Sequence, residues 1–470
     1  MSDGEIETPG HAAQAEDRLD EDDRLKPEFV RDVMALIEAG DDEAARALVE
    51  PLHPADVADL FELLDPDDRH ALAAALADVL DADVLAEMND WVRDELIDAL
   101  DPRRVAEIAG ELETDDAVAI IEDMEEDEQR AVLRALDPDD RAAIEEALSF
   151  PEESAGRLMQ RDLIAVPEHW TVGQLIDYLR AGEDLATDFW EVYVVDPQHK
   201  PVGTILLSWI LRTPRHVPIA DIMQRDQTLI PVDMDQEEVA LRFQKYALIS
   251  AAVVDQSGRL VGMITVDDIV HIIQEEASED ALRLSGGGDE GDINEPVFDS
   301  YKSRVRWLIA NLGTALVASF VISFFESAIE RMVALAVLMP IVAGVGGNAG
   351  TQTLAVTVRA LAMNQLTPSN RWRSVAREIR IALLNGVTVA LVIGAGVSLV
   401  FGDLMLGGVI AAAMLANILI AGLVGVLVPL TLDRAGTDPA VGSSVFVTMV
   451  TDSMGFFVFL GLAVASGLVG

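Results

Sequence analysis

Met339-Pro-Ile-Val-Ala-Gly344-Val-Gly346-Gly347-Asn348-Ala-Gly350-Thr-Gln352 lies inside an almost wholly apolar region. Four glycines fall within about two helical turns, beside two amides. In lipid every backbone polar group needs an internal partner, so a loosened helix survives only against protein or a water-filled cavity. Small residues also let two helices approach closely. The stretch therefore reads as a partly opened, pore-lining helix, with Gly344, Gly346, Gly347, Asn348, Gly350 and Gln352 on the pore. The other reading of the same residues is a tight glycine interface with no conduction role. Asn348 and Gln352 favour the pore, because packing alone does not call for amides.

Outward from this stretch, apolar runs cover Val305–Phe325, Val333–Ala362, Ile379–Phe401, Leu404–Leu432 and Val441–Val469. Each can span a hydrocarbon core of roughly 30 Å at ~1.5 Å per residue. Lys302, Arg304 and Arg306 cluster at the start of the first run, and Arg359, Arg371, Arg373, Arg377 and Arg380 flank the loop between the second and third. Arg434 lies between the fourth and fifth runs, and only Arg331 falls on the other side. By the positive-inside rule the N-terminus is inside and the C-terminus outside. The last run holds Thr448-Met-Val-Thr451-Asp452-Ser-Met-Gly455, and Asp452 is the acid deepest within any run. Such a carboxylate needs water or a cation, or else a hydrogen bond from Thr448 or Ser453. A hydrated Mg²⁺ suits a site with few carboxylates, because the ion dehydrates reluctantly. Two copies of Asp452 on a dimer axis would make such a site, with Thr448, Thr451 and Gly455 beside it on the pore.

The 470 residues carry 82 acidic against 33 basic side chains, a net charge of −49. From Trp307 onward seven acids balance seven bases, so the whole excess lies in the first 306 residues. That part repels nucleic acid and attracts cations. Lys26, Lys200, Lys245 and Lys302 are the only lysines. Abundant Asp with Arg in place of Lys also fits adaptation to a salty cytoplasm. There is no cysteine, hence no disulfide or thiolate metal site. The start, Met-Ser-Asp-Gly-Glu, has no apolar core segment, and the first domain is expected in the cytoplasm.

Residues 1–24 are acidic and expected to be disordered. Over 25–150, Leu64-Asp65-Pro66 recurs as Leu100-Asp101-Pro102 and Leu136-Asp137-Pro138, at a constant offset of 36. An aspartate N-cap followed by proline at the first helical position starts a helix. A constant period of this size predicts a superhelix of stacked helical hairpins. Over 151–270 strands and helices alternate and the region duplicates. Asp196 and Asp255, and Gly203 and Gly262, share an offset of 59, and Leu158-Met-Gln-Arg-Asp162 returns as Ile222-Met-Gln-Arg-Asp226. This repeat resembles a tandem pair of CBS domains, which often bind adenine nucleotides and regulate an attached channel or enzyme. Thr265-Val-Asp267-Asp268 resembles the ribose-contacting pattern of such pairs, which assigns Thr265 and Asp268 to an ATP-type site. The first copy has Leu207-Ser208-Trp209-Ile210 there, without an acid, so at most one nucleotide site per chain is expected.

A connecting helix and acidic linker fill 271–303, and the pore domain fills 304–470. The order of parts, the Pro340…Gly346-Gly347-Asn348…Gly350…Gln352 motif, and Asp438-Pro439-Ala440 followed by Thr451-Asp452 resemble the MgtE family of magnesium channels. The resemblance implies a homodimer with one pore, formed mainly by the second and fifth spans, in which Asp452 selects hydrated Mg²⁺. It also implies that Mg²⁺ bound between the cytosolic regions closes the pore through the connecting, or plug, helix. Glu275 with Glu279 and Glu276 with Asp280 are like-charge i,i+4 pairs that call for a neutralising cation. Asp233, Asp235, Glu237 and Glu238 form a second acidic cluster, although Asp235 with Glu238 also reads as a capping box. Asp267 joins the regulatory cation set.

The fold expected is multidomain: an all-α helical-repeat domain, an α/β tandem CBS pair, and an all-α domain of five transmembrane helices. The function expected is Mg²⁺-selective uptake at the plasma membrane, with an ion-coupled Mg²⁺/Co²⁺ transporter as the alternative. An enzyme is not expected, because the spans hold no His, no Cys and no acid pair.

Overall fold

The computed structural model describes residues 18–76, 79–122, 124–181, 189–286, 291 and 293–469. They form two compact units, one up to Gln274 and one from Glu275 onward.

The first unit opens with short helices: α1 Pro27–Ala39, α2 Asp42–Val49, α3 Pro54–Glu62, α4 Pro66–Ala75, α5 Ala82–Ala86, α6 Asp90–Ile97, α7 Pro102–Ala109, α8 Thr114–Glu122, α9 Glu126–Ala135 and α10 Pro138–Ala147. The 36-residue repeat explains three of the starts. Asp65, Asp101 and Asp137 each stand at an N-cap with proline next. Asp65 accepts from the Asp68 N–H at 3.2 Å and Asp101 from the Arg103 N–H at 2.9 Å. Arg69 and Arg141, four residues beyond the first and third aspartates, donate back to the carbonyls of Leu64 and Leu136 at 3.0 and 2.8 Å. Each arginine thus ties a helix start to the preceding helix end. One apolar core, from Leu25 to Ala147, runs through the stack. Of the expected 1–24 tail, residues 1–17 lie outside the described residues. Asp20 closes a turn over the rest, and Leu19 bridges to Leu25.

The duplicated region follows as β1 Ala165–Pro167, α11 Val172–Ala181, β2 Glu191–Val195, β3 Pro201–Leu206, α12 Leu207–Arg212, β4 Leu229–Pro231, α13 Gln236–Tyr246, β5 Ser250–Val254 and β6 Leu260–Thr265. Each half is a three-stranded sheet, its first strand parallel to the second and the second antiparallel to the third. The equivalent aspartates close the equivalent turns: Asp196 accepts from the Lys200 N–H and Asp255 from the Arg259 N–H. The repeated opening phrases cross between halves. Gln160 bridges to Met263 and Gln224 to Thr204. A Cβ on Gly203 would lie 2.7 Å from the Gln224 carbonyl oxygen, and one on Gly262 2.9 Å from that of Gln160. The paired glycines are therefore needed for close backbone approach.

Helix α14, Val266–Ser285, carries the chain from the first unit into the second and stops at Gly286, φ +74°. Of the expected linker, residues 287–290 and 292 lie outside the described residues. Five helices are then long and apolar enough to cross a membrane: α15 Val297–Ser323, α17 Val333–Ala362, α18 Arg371–Phe401, α19 Leu404–Ala435 and α20 Ser443–Ala465, with the short α16, Glu326–Arg331, after the first. Helices α15 and α18 start eight residues before their apolar runs, because arginine-bearing turns extend them. Helix α19 is the most buried of the five and packs against α17, α18 and α20.

The opening expected at the glycine cluster does not occur. Helix α17 runs unbroken for 30 residues through Pro340 and all four glycines. Glycine costs about 1 kcal/mol of helix propensity relative to alanine. Leaving backbone groups unpaired in an apolar surrounding costs more, so the helix persists.

Candidate ion pathway and cation sites

The four glycines of α17 do two different things. Gly346 and Gly350 are buried at helix contacts: a Cβ on Gly350 would lie 2.6 Å from Val447 of α20, and one on Gly346 would strike Asn417 of α19. Gly344 and Gly347 have nothing within 4 Å of an added Cβ. They share their side of the helix with exposed Asn348 and Gln352. The two readings of the motif therefore apply to different residues: one face is a packing seam, and the other is a polar surface.

Helix α20 meets this seam at Val447 and Thr451. Thr451 is fully buried, and its hydroxyl donates to the Thr448 carbonyl at 3.1 Å. Thr451 is therefore part of the helix contact, while Thr448 is partly exposed. Gly455 is buried on Asn417. Asp452, next to Thr451, is half-buried. Among the described residues its carboxylate has no hydrogen-bond or ion-pair partner in the chain, and the capping bond from Thr448 or Ser453 is not made. A carboxylate placed within a span and left unpaired by the protein is costly unless it faces water or a cation.

The end of α14 belongs to the same unit. Glu275 is exposed, while Glu276, Glu279 and Asp280 are partly buried. Arg283 pairs with Glu279 one turn earlier and donates to Asp438 Oδ2 at 2.7 Å. The other Asp438 oxygen accepts from the Ala440 N–H at 2.7 Å. Burial, and then the charge of Asp438, raise the Asp280 carboxyl above its ordinary range. Leu284 adds an apolar contact to Leu354, Val358, Ala440 and Val447. Sequence reading stacked the acids of this helix and missed that Arg283, four residues after Glu279, already neutralises part of the stack.

A carboxylate group that the sequence did not reveal lies within the first unit. Glu113, Asp115 and Asp116, at the start of α8, face Asp267 and Asp268, at the start of α14. Partial burial and then Asp268 push Asp116 up to about 6, against the opposing pull of Arg93. Burial and Asp268 also raise Asp115, and they push Glu113, whose edge stays in solvent, up to about 7. No sequence period links residues 113–116 to 267–268, so only the fold brings them together. Thr265 and Asp268, the nucleotide candidates, are joined: the Thr265 hydroxyl donates to Asp268 Oδ2 at 2.7 Å. In the other acidic cluster Asp235 caps α13 through the Glu237 N–H at 3.0 Å. Glu238 pairs with Arg242 at 2.9 Å, and Asp233 is exposed. Among the described residues no three acidic or histidine side chains converge into a metal cage.

A cavity of about 220 Å³ opens between α17, α18 and α19, lined by Gln352, Arg377, Glu378 and Asn385 among others. Glu378 is buried and pairs with Arg377 at 2.5 Å.

Comparison with known proteins agrees with this arrangement. The family model "Divalent cation transporter" (MgtE) matches residues 339–462, the MgtE intracellular N domain 52–153, and a CBS domain 219–275. The magnesium transporter MgtE of Thermus thermophilus is 31% identical over 91% of this chain and 96% of its own. That of Enterococcus faecalis is 34% identical over 67% and 70%, and that of Bacillus subtilis 28% over 93% and 97%. A crystal structure of the cytosolic domain of the Mg²⁺ channel MgtE in complex with ATP matches 52% of this chain and 99% of its own, at 30% identity and a TM-score of 0.48. With its helical-repeat domain, CBS pair and five apolar helices all in place, the chain belongs to the MgtE family of magnesium transporters.

Proposed function

We propose that this protein is a homodimeric Mg²⁺-selective channel of the plasma membrane, with its N-terminus in the cytoplasm. The unpartnered Asp452 carboxylate carries this reading. It lies on α20 beside the seam that α20 makes with α17, whose other face presents Asn348 and Gln352. A hydrated divalent cation meets a charge there, and with a single carboxylate to satisfy it need not shed its inner waters.

Closure is assigned to cytosolic Mg²⁺. The carboxylates on hand for it form one group in each unit: Asp115, Asp116, Asp267 and Asp268 in the first, and Glu275, Glu276, Glu279, Asp280 and Asp438 in the second. Both groups gather like charges in partly dry surroundings, which a hydrated cation would relieve. Asp233 and Asp235 join this set only as exposed, outer ligands. Thr265 and Asp268 would hold the ribose of an adenine nucleotide, so ATP and Mg²⁺ share Asp268.

The test is uptake into liposomes carrying the purified protein, with Mg²⁺ varied separately on each face. Wild type should take up Mg²⁺, and Asp452→Asn should lose flux or selectivity. Equal rate and selectivity in the two proteins would overturn the role of Asp452. One observation favours the ion-coupled alternative: Glu378 is buried against Arg377 beside the cavity, as a relay carboxylate would be. Flux that depends on a proton or sodium gradient and disappears in Glu378→Gln would select that mechanism.

A further inference from the structure

We propose that Asn417, on the central helix α19, is the positioning residue that sets how α17 and α20 meet at the Asp452 turn, and so tunes ion selectivity from behind the pathway. The inference rests on the ion-pathway reading above.

Asn417 is fully buried. Its side chain occupies a notch shared by two glycines on two different helices. A Cβ on Gly346 of α17 would collide with Asn417 Nδ2, and one on Gly455 of α20 would lie 2.7 Å from the same atom. An alanine at either glycine would force the Asn417 side chain to move. The amide also donates through Nδ2 to the Val342 carbonyl of α17 at 2.9 Å. Its Oδ1 is buried and has no hydrogen-bond partner. A buried acceptor left unmatched is costly. A leucine has the same branched side-chain skeleton without that cost, so packing alone does not account for an amide here.

The geometry links this wedge to the proposed site. Gly455 is one turn beyond Asp452 on α20. Gly346 is one turn before Gly350, which lies against Val447 and Thr451. The single hydrogen bond to Val342 fixes the rotation of α17 about its axis, and with it the direction of Asn348, two residues beyond Gly346. A wedge of the same size without that bond would leave the helices in contact but free to rotate.

Two arms test this. In liposomes, Asn417→Leu should remain folded, judged by thermal unfolding, yet lower the ratio of Mg²⁺ to Na⁺ permeability at least tenfold. A role in stability alone would lower the unfolding temperature and leave that ratio unchanged. Asn417→Leu with wild-type selectivity overturns the proposal. The second arm needs no transport. The chain has no cysteine, so Ile341→Cys with Met454→Cys places a unique spin-label pair on α17 and α20. With labelled protein diluted in unlabelled protein, the distance distribution should shift or broaden in Asn417→Ala. Gly346→Ala should disrupt it in wild type and be tolerated in the Asn417→Ala background. An unchanged distribution, or equal damage from Gly346→Ala in both backgrounds, refutes the wedge even if Asn417→Leu fails to fold. If wild type itself carries no Mg²⁺, the functional reading fails, and the label arm still decides whether Asn417 positions the helices.

Discussion

Asp116→Asn is the sharpest test of the carboxylate group in the first unit. Asp116 is raised from 3.8 to about 6, first by burial and then by Asp268. Each pKa unit is about 1.4 kcal/mol, so full desolvation would set a ceiling of about 3 kcal/mol. The side chain keeps some contact with solvent, so about half of that, 1–2 kcal/mol, is the usable figure. The sign follows from linkage: a raised folded-state pKa stabilises the fold below the ordinary carboxylate range. That contribution is lost as pH rises from about 4 through about 6. At pH 7.5 without Mg²⁺ the charge is therefore a net cost, and asparagine removes it. The variant should unfold about 2–8 °C higher than wild type in chelator, taking 2–4 °C per kcal/mol for a domain of this size. It should also gain less from added Mg²⁺, because less repulsion is left to offset. The assay is thermal unfolding of the full chain in detergent, at pH 5 and pH 7.5, with chelator or Mg²⁺. Taking the difference between variant and wild type cancels the other carboxylates. A variant no more stable than wild type at pH 7.5 in chelator, or one with an undiminished Mg²⁺ gain, refutes the reasoning.

Gly350→Val should destabilise the membrane unit by about 1–3 kcal/mol through overpacking against Val447, read as a lower unfolding temperature. A Cβ at Gly347 meets no neighbour within 4 Å in the chain, so Gly347→Val should fold normally and still reduce Mg²⁺ flux in liposomes, and full flux would remove Gly347 from the pathway. Arg283→Gln takes away the cation shared by Glu279 and Asp438, so flux at low cytosolic Mg²⁺ should rise severalfold and its Mg²⁺ dependence steepen. An unchanged Mg²⁺ response would make the Arg283 contact incidental to closure.

Much of this architecture was legible in the chain because its signals are local and periodic. The 36-residue Leu-Asp-Pro spacing located three helix starts, since an N-cap and the proline after it act within one turn. The 59-residue offset located both sheets, since turn chemistry at Asp196 and Asp255 needs no distant partner. Apolar length alone gave five spans. Asp452 stood out because a carboxylate within an apolar run is rare and costly. The glycine motif was legible, but its conformation was not: the helix expected to open runs unbroken. Gly346 and Gly347 are adjacent and chemically identical, and only the neighbouring helices make one a contact and the other an open face.

What the amino-acid order determined, then, is the set of elements, their repeats and the presence of an intramembrane acid. Tertiary structure decided which side chains meet: Arg283 with Asp438, Asp116 with Asp268, and Asn417 with Gly346 and Gly455. These partners are separated by about 40 to 155 residues, and no periodicity relates them. Whether a lone acid, arginine or amide is neutralised, crowded or left unpaired depends on the charge and space its neighbours bring, and those neighbours are assigned only when the helices pack.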